Sequence, residues 1–339
     1  MPKGTLTIVC SGDVGRPSFL AVDACIHDGF LALDQINSSV DPEFLFEVMT
    51  QLKGRLERSA THGGIYTNLT TDILRNFRLL VPALPEQRKI AEILRTWDEG
   101  LETLTALRTV KARRLESLRA ALLFGDMRLD NQRRNWEPRR LAEVTHELTA
   151  RNGDKALGRE AVMGVTKANG IVPMREQTIA GDISRYKRLP PRAFAYNPMR
   201  INVGSIAMNE GQSEVLVSPD YVVFGCDADG LAPDYLDHLR KTRWWGHYIN
   251  SGGSGSVRMR TYYDDLAAMK LPLPELDEQR EIIRILNTAR DDLTVTDKEI
   301  QALTRQKRGL MQKLLTGEWR VENEETETLT AIKETNDGR

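Results

Sequence analysis

The residues of this 339-residue chain best suited to chemistry lie in the stretch "NSGGSGSVRMR", where a Gly/Ser loop runs into Arg258 and Arg260. Backbone amides of such a loop can approach a phosphate closely, Ser254 and Ser256 add hydroxyls, and a guanidinium fork matches a phosphate or a guanine edge. Upstream, "PDYLDHLRKTRWWGHYI" reads as one amphipathic helix carrying Arg240, Lys241 and Arg243, suited to phosphates. A further cluster, "SRYKRLPPR", sets Arg185, Lys187, Arg188 and Arg192 around Tyr186. In the first half of the chain the weaker counterpart is "SATHGGIYTNL", with His62, Tyr66 and Asn68. Taken singly, a Gly/Ser loop is an ordinary connection and a basic helix face is ordinarily solvated. Their concentration in one region points to nucleic-acid contact.

Bond-making chemistry finds no such support. The five histidines, His27, His62, His146, His238 and His247, form neither HxH nor HExxH. Cys10, Cys25 and Cys226 give no metal-ligand or CxxC spacing, which suits a reducing, cytoplasmic setting. "CSGDVG" from Cys10 lacks the lysine of a P-loop and the third glycine of a dinucleotide fingerprint. "YNPM" from Tyr196 resembles the Asn-Pro-Pro-aromatic motif of amino-methyltransferases but lacks the second proline and the aromatic, so it reads as a turn. The expectation is a protein without catalysis or a cofactor of its own.

The elements that would carry these clusters are organised by an internal repeat. A shift of 192 positions lays Pro82 on Pro274, Glu86-Gln87-Arg88 on Glu278-Gln279-Arg280, Leu122-Leu123 on Leu314-Leu315, and Gly125 on Gly317. Upstream the likeness weakens: "DPEFLFEVM" from Asp41 resembles "APDYLDHLR" from Ala232, now at a shift of 191. Each well-kept part reads as a helix of about 38 residues, roughly 57 Å long, barred upstream by proline and stopped by glycine. Apolar residues at Ile90, Leu94, Trp97, Leu101, Leu104, Leu115, Leu118 and Leu122 alternate gaps of four and three in a heptad seam. The seam lapses at Arg108 and Lys111, where the second copy has Ile300 and Leu303; the second copy's own weak points are Thr296 and Lys307. Complementary lapses favour the two helices packing on each other, antiparallel by pseudo-two-fold symmetry, with Ile282, Leu286 and Leu293 on the second seam. The alternative is two separate coiled-coil arms recruiting other subunits.

Around these helices "GTLTIVC", "GRPSFLAV" and "EVLVSPDYVVFG" have strand character. The fold class expected is therefore α+β: two mixed α/β domains joined by two long antiparallel helices. The formal charge is −1, but Arg128 to Lys270 holds 21 basic against 17 acidic residues. Glu318 to Arg339 holds 7 acidic against 3 basic residues, so a tail expected to be disordered offsets a more basic body. No apolar run reaches the roughly 18–20 residues of a membrane span, and the N-terminus does not read as a signal peptide.

"LPLPELDEQREIIRIL…LMQKLLTGEWRV", its twin "LVPALPEQRKIAEIL…LLFGDMRL", and "FAYNPMRINVGSIAM…VSPDYVVF" resemble the specificity subunits of type I restriction-modification systems. The resemblance implies two target-recognition domains, each reading one half of a split double-stranded DNA site, and two conserved helices that space them. It also implies a chain without chemistry of its own, docked to two methyltransferase subunits, with a restriction/translocase subunit able to join. S-adenosylmethionine, ATP and Mg would then belong to those partners. The corresponding boundaries are 1–80 and 127–272 for the recognition domains, 81–126 and 273–318 for the helices, and 319–339 for the tail. Under the repeat, the second domain's start near Asn135 has no counterpart, so the first domain is expected to lack its opening 55–60 residues. Such a chain would read one half-site or be completed by another copy or fragment; a scaffold without sequence readout is the alternative.

Overall fold

The computed structural model describes residues 1–63, 66–129, 136–153, 157–251 and 260–321. They form two compact units: Met1–Arg108 with the chain from Val295 onward, and Thr109–Thr294. None of the described helices is long and apolar enough to cross a membrane.

In the first unit a three-stranded antiparallel sheet is made by β1 (Leu6–Val9), flanked by β2 (Pro17–Phe19) and β3 (Phe30–Leu33). Helix α1 (Pro42–Ser59) follows. Asp41 caps it by accepting from the amides of Glu43 and Phe44 at 3.0 and 3.1 Å, and Pro42 takes the first position, where no amide is missed. The hairpin β4 (Thr61–Gly63) and β5 (Tyr66–Asn68), the short α2 (Thr71–Arg75) and the first part of α3 (Leu84–Leu123) complete this unit. Its core joins Ile8, Phe44, Val48 and Leu56 to Ile90 and Leu94 of α3 and to Met311, Leu314 and Leu315.

The second unit takes the rest of α3 and the strands β6 (Pro138–Arg140), β7 (Thr145–Glu147), β8 (Met163–Thr166), β9 (Gly170–Pro173), β10 (Lys187–Leu189), β11 (Phe194–Tyr196), β12 (Ile206–Met208), β13 (Val215–Val217) and β14 (Val222–Cys226). A four-stranded antiparallel sheet runs β12-β11-β14-β7, and β10 pairs with β13, β8 with β9. Helices α4 (Pro233–Leu239), α5 (Arg243–Ser251) and α6 (Tyr263–Ala267) lead to β15 (Lys270–Pro272), which pairs with β6. The final helix, α7 (Leu276–Leu315), contributes its first half here. The main core buries Phe194, Tyr196 and Phe224 of the sheet against Tyr235, Leu236 and Leu239, and against Leu115 and Leu122 of α3 and Ile282 and Leu286 of α7.

Both long helices thus span 40 residues, close to the expected length, and each ends before a glycine with positive φ, Gly125 at 78° and Gly317 at 73°. Within each unit they run antiparallel: Asp98 meets Lys307 and Arg108 meets Asp297 in the first, Lys111 meets Asp292 in the second. Three of the four lapses in the apolar seam are therefore bridged by charge, at 2.5 Å for Lys307–Asp98 and Arg108–Asp297 and 2.7 Å for Lys111–Asp292, while the fourth, Thr296, is buried.

Two expectations are corrected. The single helix over "PDYLDHLRKTRWWGHYI" is two, because Thr242 interrupts it: its hydroxyl donates to the Leu239 carbonyl at 2.7 Å and accepts from the Trp245 amide at 3.3 Å, capping α5. Tyr186, read in sequence as the centre of a basic cluster, is core, packed with Val162, Ile179 and Leu216 while its hydroxyl accepts from the Ala180 amide at 3.1 Å.

The repeat also exposes a difference between the units. β15 pairs with β6 and buries Leu271 and Leu273, at 0% and 5% exposure. The equivalent stretch Arg78–Leu80 shows no strand pairing among the described residues, and Leu80 and Val81 are 65% and 45% exposed.

Candidate nucleic-acid interface

The repeated Glu-Gln pair, Glu86-Gln87 and Glu278-Gln279, is a clamp. Gln279 is fully buried: its carbonyl accepts from the Ala232 amide at 2.9 Å, and its amide donates to the carbonyls of Gly230 at 3.0 Å and Pro274 at 2.9 Å. Gln87 repeats this with the Asp41 amide and the Ser39 and Pro82 carbonyls, all at 2.8 Å. In each unit one glutamine therefore pins the entry of a short helix, α1 or α4, to the first turn of a long one. The neighbouring glutamates bind the chain just beyond the end of the other long helix. Glu278 accepts both nitrogens of Arg128 at 2.8 and 3.0 Å and the Trp136 indole at 3.0 Å; Glu86 accepts Arg320 at 2.8 and 2.7 Å. Such forked, charge-assisted bonds fix geometry as well as energy.

Behind α4 lies a buried polar cluster. Asp237 receives Arg240 Nε at 2.9 Å and Lys241 Nζ at 2.6 Å. Burial alone would push its carboxyl up, yet the two cations hold it below the usual carboxylate range. Burial lowers Lys241 despite that partner. His238 stands between Arg119, whose Nε donates to its Nδ1 at 3.3 Å, and Asn287 at 2.9 Å from its Nε2. Burial brings this imidazole down to about 4, so it is neutral at pH 7, with Nε2 carrying the proton toward the Asn287 oxygen.

These contacts sort the candidate cations. Arg240, which also donates to the Ile206 carbonyl at 2.8 Å, and Lys241 are tied to Asp237. Arg188 is paired with Glu214, its Nε at 2.7 Å. Lys187 lies 3.8 Å from Glu147 and only 12% of its side chain is exposed; burial lowers it. Arg192 is paired with Asp234. Arg185 is exposed, its carbonyl held by Arg151 at 2.7 Å. Arg243 is 93% exposed, with Glu116 at 3.1 Å. Arg260 is exposed, its Nη1 3.4 Å from the Tyr262 hydroxyl. The structure brings Lys187 and Arg260 to the wall of one cavity, with Asn197, Met199 and Tyr262, which composition and charge did not single out. Asn197 and Pro198 form a turn, as "YNPM" suggested: the Asn197 side chain accepts from the Met199 amide at 2.9 Å. Ser254, Ser256 and Arg258 lie outside the described residues, as does most of the acidic tail. His62, Tyr66 and Asn68 fall on the β4–β5 hairpin of the first unit, with Asn68 opposite Thr61.

Residues 1–112 match the family model described as type I restriction modification DNA specificity domain. Over 91% of this chain and 74% of the relative, the sequence is 21% identical to a putative type I restriction enzyme MjaX specificity subunit of Methanocaldococcus jannaschii. The MjaVIII specificity subunit of that organism is also 21% identical, over 95% of this chain and 80% of its own length. Among solved structures, the S subunit of a type I restriction-modification system from M. genitalium superposes with a TM-score of 0.62 at 15% identity, covering 93% of this chain and 83% of that one, and so shares the fold.

Proposed function

We propose that this chain, a member of the type I restriction-modification specificity-subunit family, selects the DNA sequence on which a multi-subunit complex acts. The observation that carries the reading is a frame repeated bond for bond beneath unlike surfaces. Gln87 and Gln279 make the same three hydrogen bonds, whereas a three-stranded sheet sits above one and a larger set of sheets above the other. Duplicated supports carrying different modules suit two readers of different half-sites, with the length of the shared helices as the quantity that sets the gap between them.

In this reading Arg185, Arg243 and Arg260 are the exposed cations of the second reader available to phosphates, supplying salt-sensitive affinity. Arg240, Lys241 and Arg188 support the surface from behind. Two methyltransferase subunits dock on the helices, a restriction subunit joins them, and S-adenosylmethionine, ATP and Mg act there. The test is methylome sequencing of cells with and without the gene. A split motif should vanish as a unit on deletion and return with the intact gene; an unchanged methylome would overturn the proposal.

A further inference from the structure

In the second unit a cavity of about 520 Å³ remains without a role in this reading. Its volume lies in the range of sites that hold a small molecule, roughly 300–1,000 Å³. Separate segments close on it: Glu147 from β7, Lys187 from β10, the Asn197–Met199 turn, Asp220 from the β13–β14 connection, and Arg260 and Tyr262 ahead of α6. The rim is cationic and flat, with Tyr262 and Met199 53% and 44% exposed beside Arg260. The lining also includes the carboxylates of Asp220 and Asp264, and that of Glu147, which lies 3.8 Å from Lys187. Tyr196, directly before Asn197, has a buried hydroxyl with no hydrogen-bond partner among the described residues.

A stacked duplex presents its base edges along grooves and has nothing of nucleotide size to put into a concavity. A base that has left the stack does, and such bases are held by aromatic or apolar faces and by hydrogen bonds to their edges. Carboxylate oxygens accept, so they favour a base with an exocyclic amino group, cytosine, adenine or guanine, over thymine, which has none. An arginine at the rim suits the attached phosphate.

We propose that this cavity holds one nucleotide unstacked from DNA, its amino-bearing base, cytosine, adenine or guanine, against Tyr262 and Met199 and its phosphate on Arg260. This rests on the reading of the chain as a DNA binder, and the two can fail separately. Met174 and Met199 both line the cavity, while Met49 and Met311 belong to the core of the first unit, so methyl-labelled methionine reports on it directly. The nucleotides dCMP, dAMP and dTMP would be titrated into the full chain. Shifts at Met174 and Met199 with dCMP or dAMP, about fivefold weaker with dTMP and about fivefold weaker in Tyr262→Ala, are expected, a factor of five being about 1 kcal/mol. Unmoved signals from Met208 and Met269, in the core of the same unit, show the fold of that variant intact. No response at Met199, equal response to dTMP, or indifference to Tyr262→Ala overturns the inference. Competition with unlabelled random DNA provides the second arm. Sequence-selective binding alongside a silent cavity sinks the nucleotide pocket alone; loss of selectivity sinks the functional reading with it.

Discussion

Replacing Gln279 with alanine should weaken the second unit by about 3–4 kcal/mol. The side chain is fully buried and makes three hydrogen bonds, so its removal strands the Ala232 amide and the carbonyls of Gly230 and Pro274. A buried group left unsatisfied costs roughly 1–3 kcal/mol, and carbonyls fall at the low end because a second lone pair can find another donor. Taking about 1 kcal/mol for each carbonyl and 1–2 for the amide gives that total. The assay is urea unfolding, where such a loss moves the midpoint by roughly 1–4 M for slopes of 1–3 kcal/mol/M. Hydrogen exchange at the Ala232 amide should rise in parallel. Because Gln87 meets one amide and two carbonyls in the same arrangement, Gln87→Ala should cost the first unit a comparable amount. A loss below about 1 kcal/mol at either site would refute the clamp, since it would mean that water or relaxation satisfies the abandoned groups. A large loss at one site only would refute the equivalence of the repeats.

His238 has its pKa lowered to about 4 from 6.5, so its contribution to stability is present above the unfolded value and is lost as pH falls through the folded one. Stability should decline by roughly 3 kcal/mol from pH 6.5 to 4, and His238→Gln should flatten that slope in pH-dependent unfolding. Burial raises Glu47, with Lys307 opposing it at 3.9 Å, so Lys307→Met should raise it further. A raised carboxyl pKa favours the folded state below the unfolded value and is penalised as pH rises through the folded one. The variant should therefore lose about 2–4 kcal/mol at pH 7 and recover part of it near pH 4.5. Leu273→Ala should cost about 2–4 kcal/mol by opening a cavity, and Val81→Ala at the equivalent place within about 0.5, measured by thermal unfolding. Arg243→Ala should reduce the slope of log affinity against log salt by about 1 without changing stability. Arg240→Ala should instead cost stability, since it uncovers the buried Asp237.

The helical frame was legible because it is written as a repeat. Pro82 and Pro274, the paired leucines, and the two glycines fix the start, face and end of α3 and α7 to within a residue or two. Local sequence does not state which polar side chains will be buried. Periodicity marks Lys307 and Arg108 as gaps in a seam, yet the acids that fill those gaps, Asp98 and Asp297, are set by register between two helices nearly 200 positions apart. The α4–α5 break was readable in principle, because Thr242 stands before "RWW" as a cap does, but the amphipathic pattern runs through it and concealed it. Compact units also cut across elements: each takes half of both helices, whereas sequence boundaries at 81–126 and 273–318 follow the elements themselves.

Charge counting has the same weakness at the candidate interface, and that decides how the remaining cations should be weighed. Arg240 and Lys241 lie three and four positions from Asp237, the spacing at which helical residues meet, so their partner was in view. Once that acid is buried, the two cations are committed to it, because an unpaired carboxylate in the core is far costlier than a phosphate contact is favourable. Arg188 on Glu214 and Arg192 on Asp234 are paired with acids distant in sequence and only partly buried. What remains for the proposed DNA contact is set by exposure, at Arg185, Arg243 and Arg260, and by aromatic company, which Arg260 has in Tyr262. A cation beside a flat, half-exposed ring at the mouth of a nucleotide-sized cavity can discriminate among bases. A solvated cation on a helix can only attract the backbone.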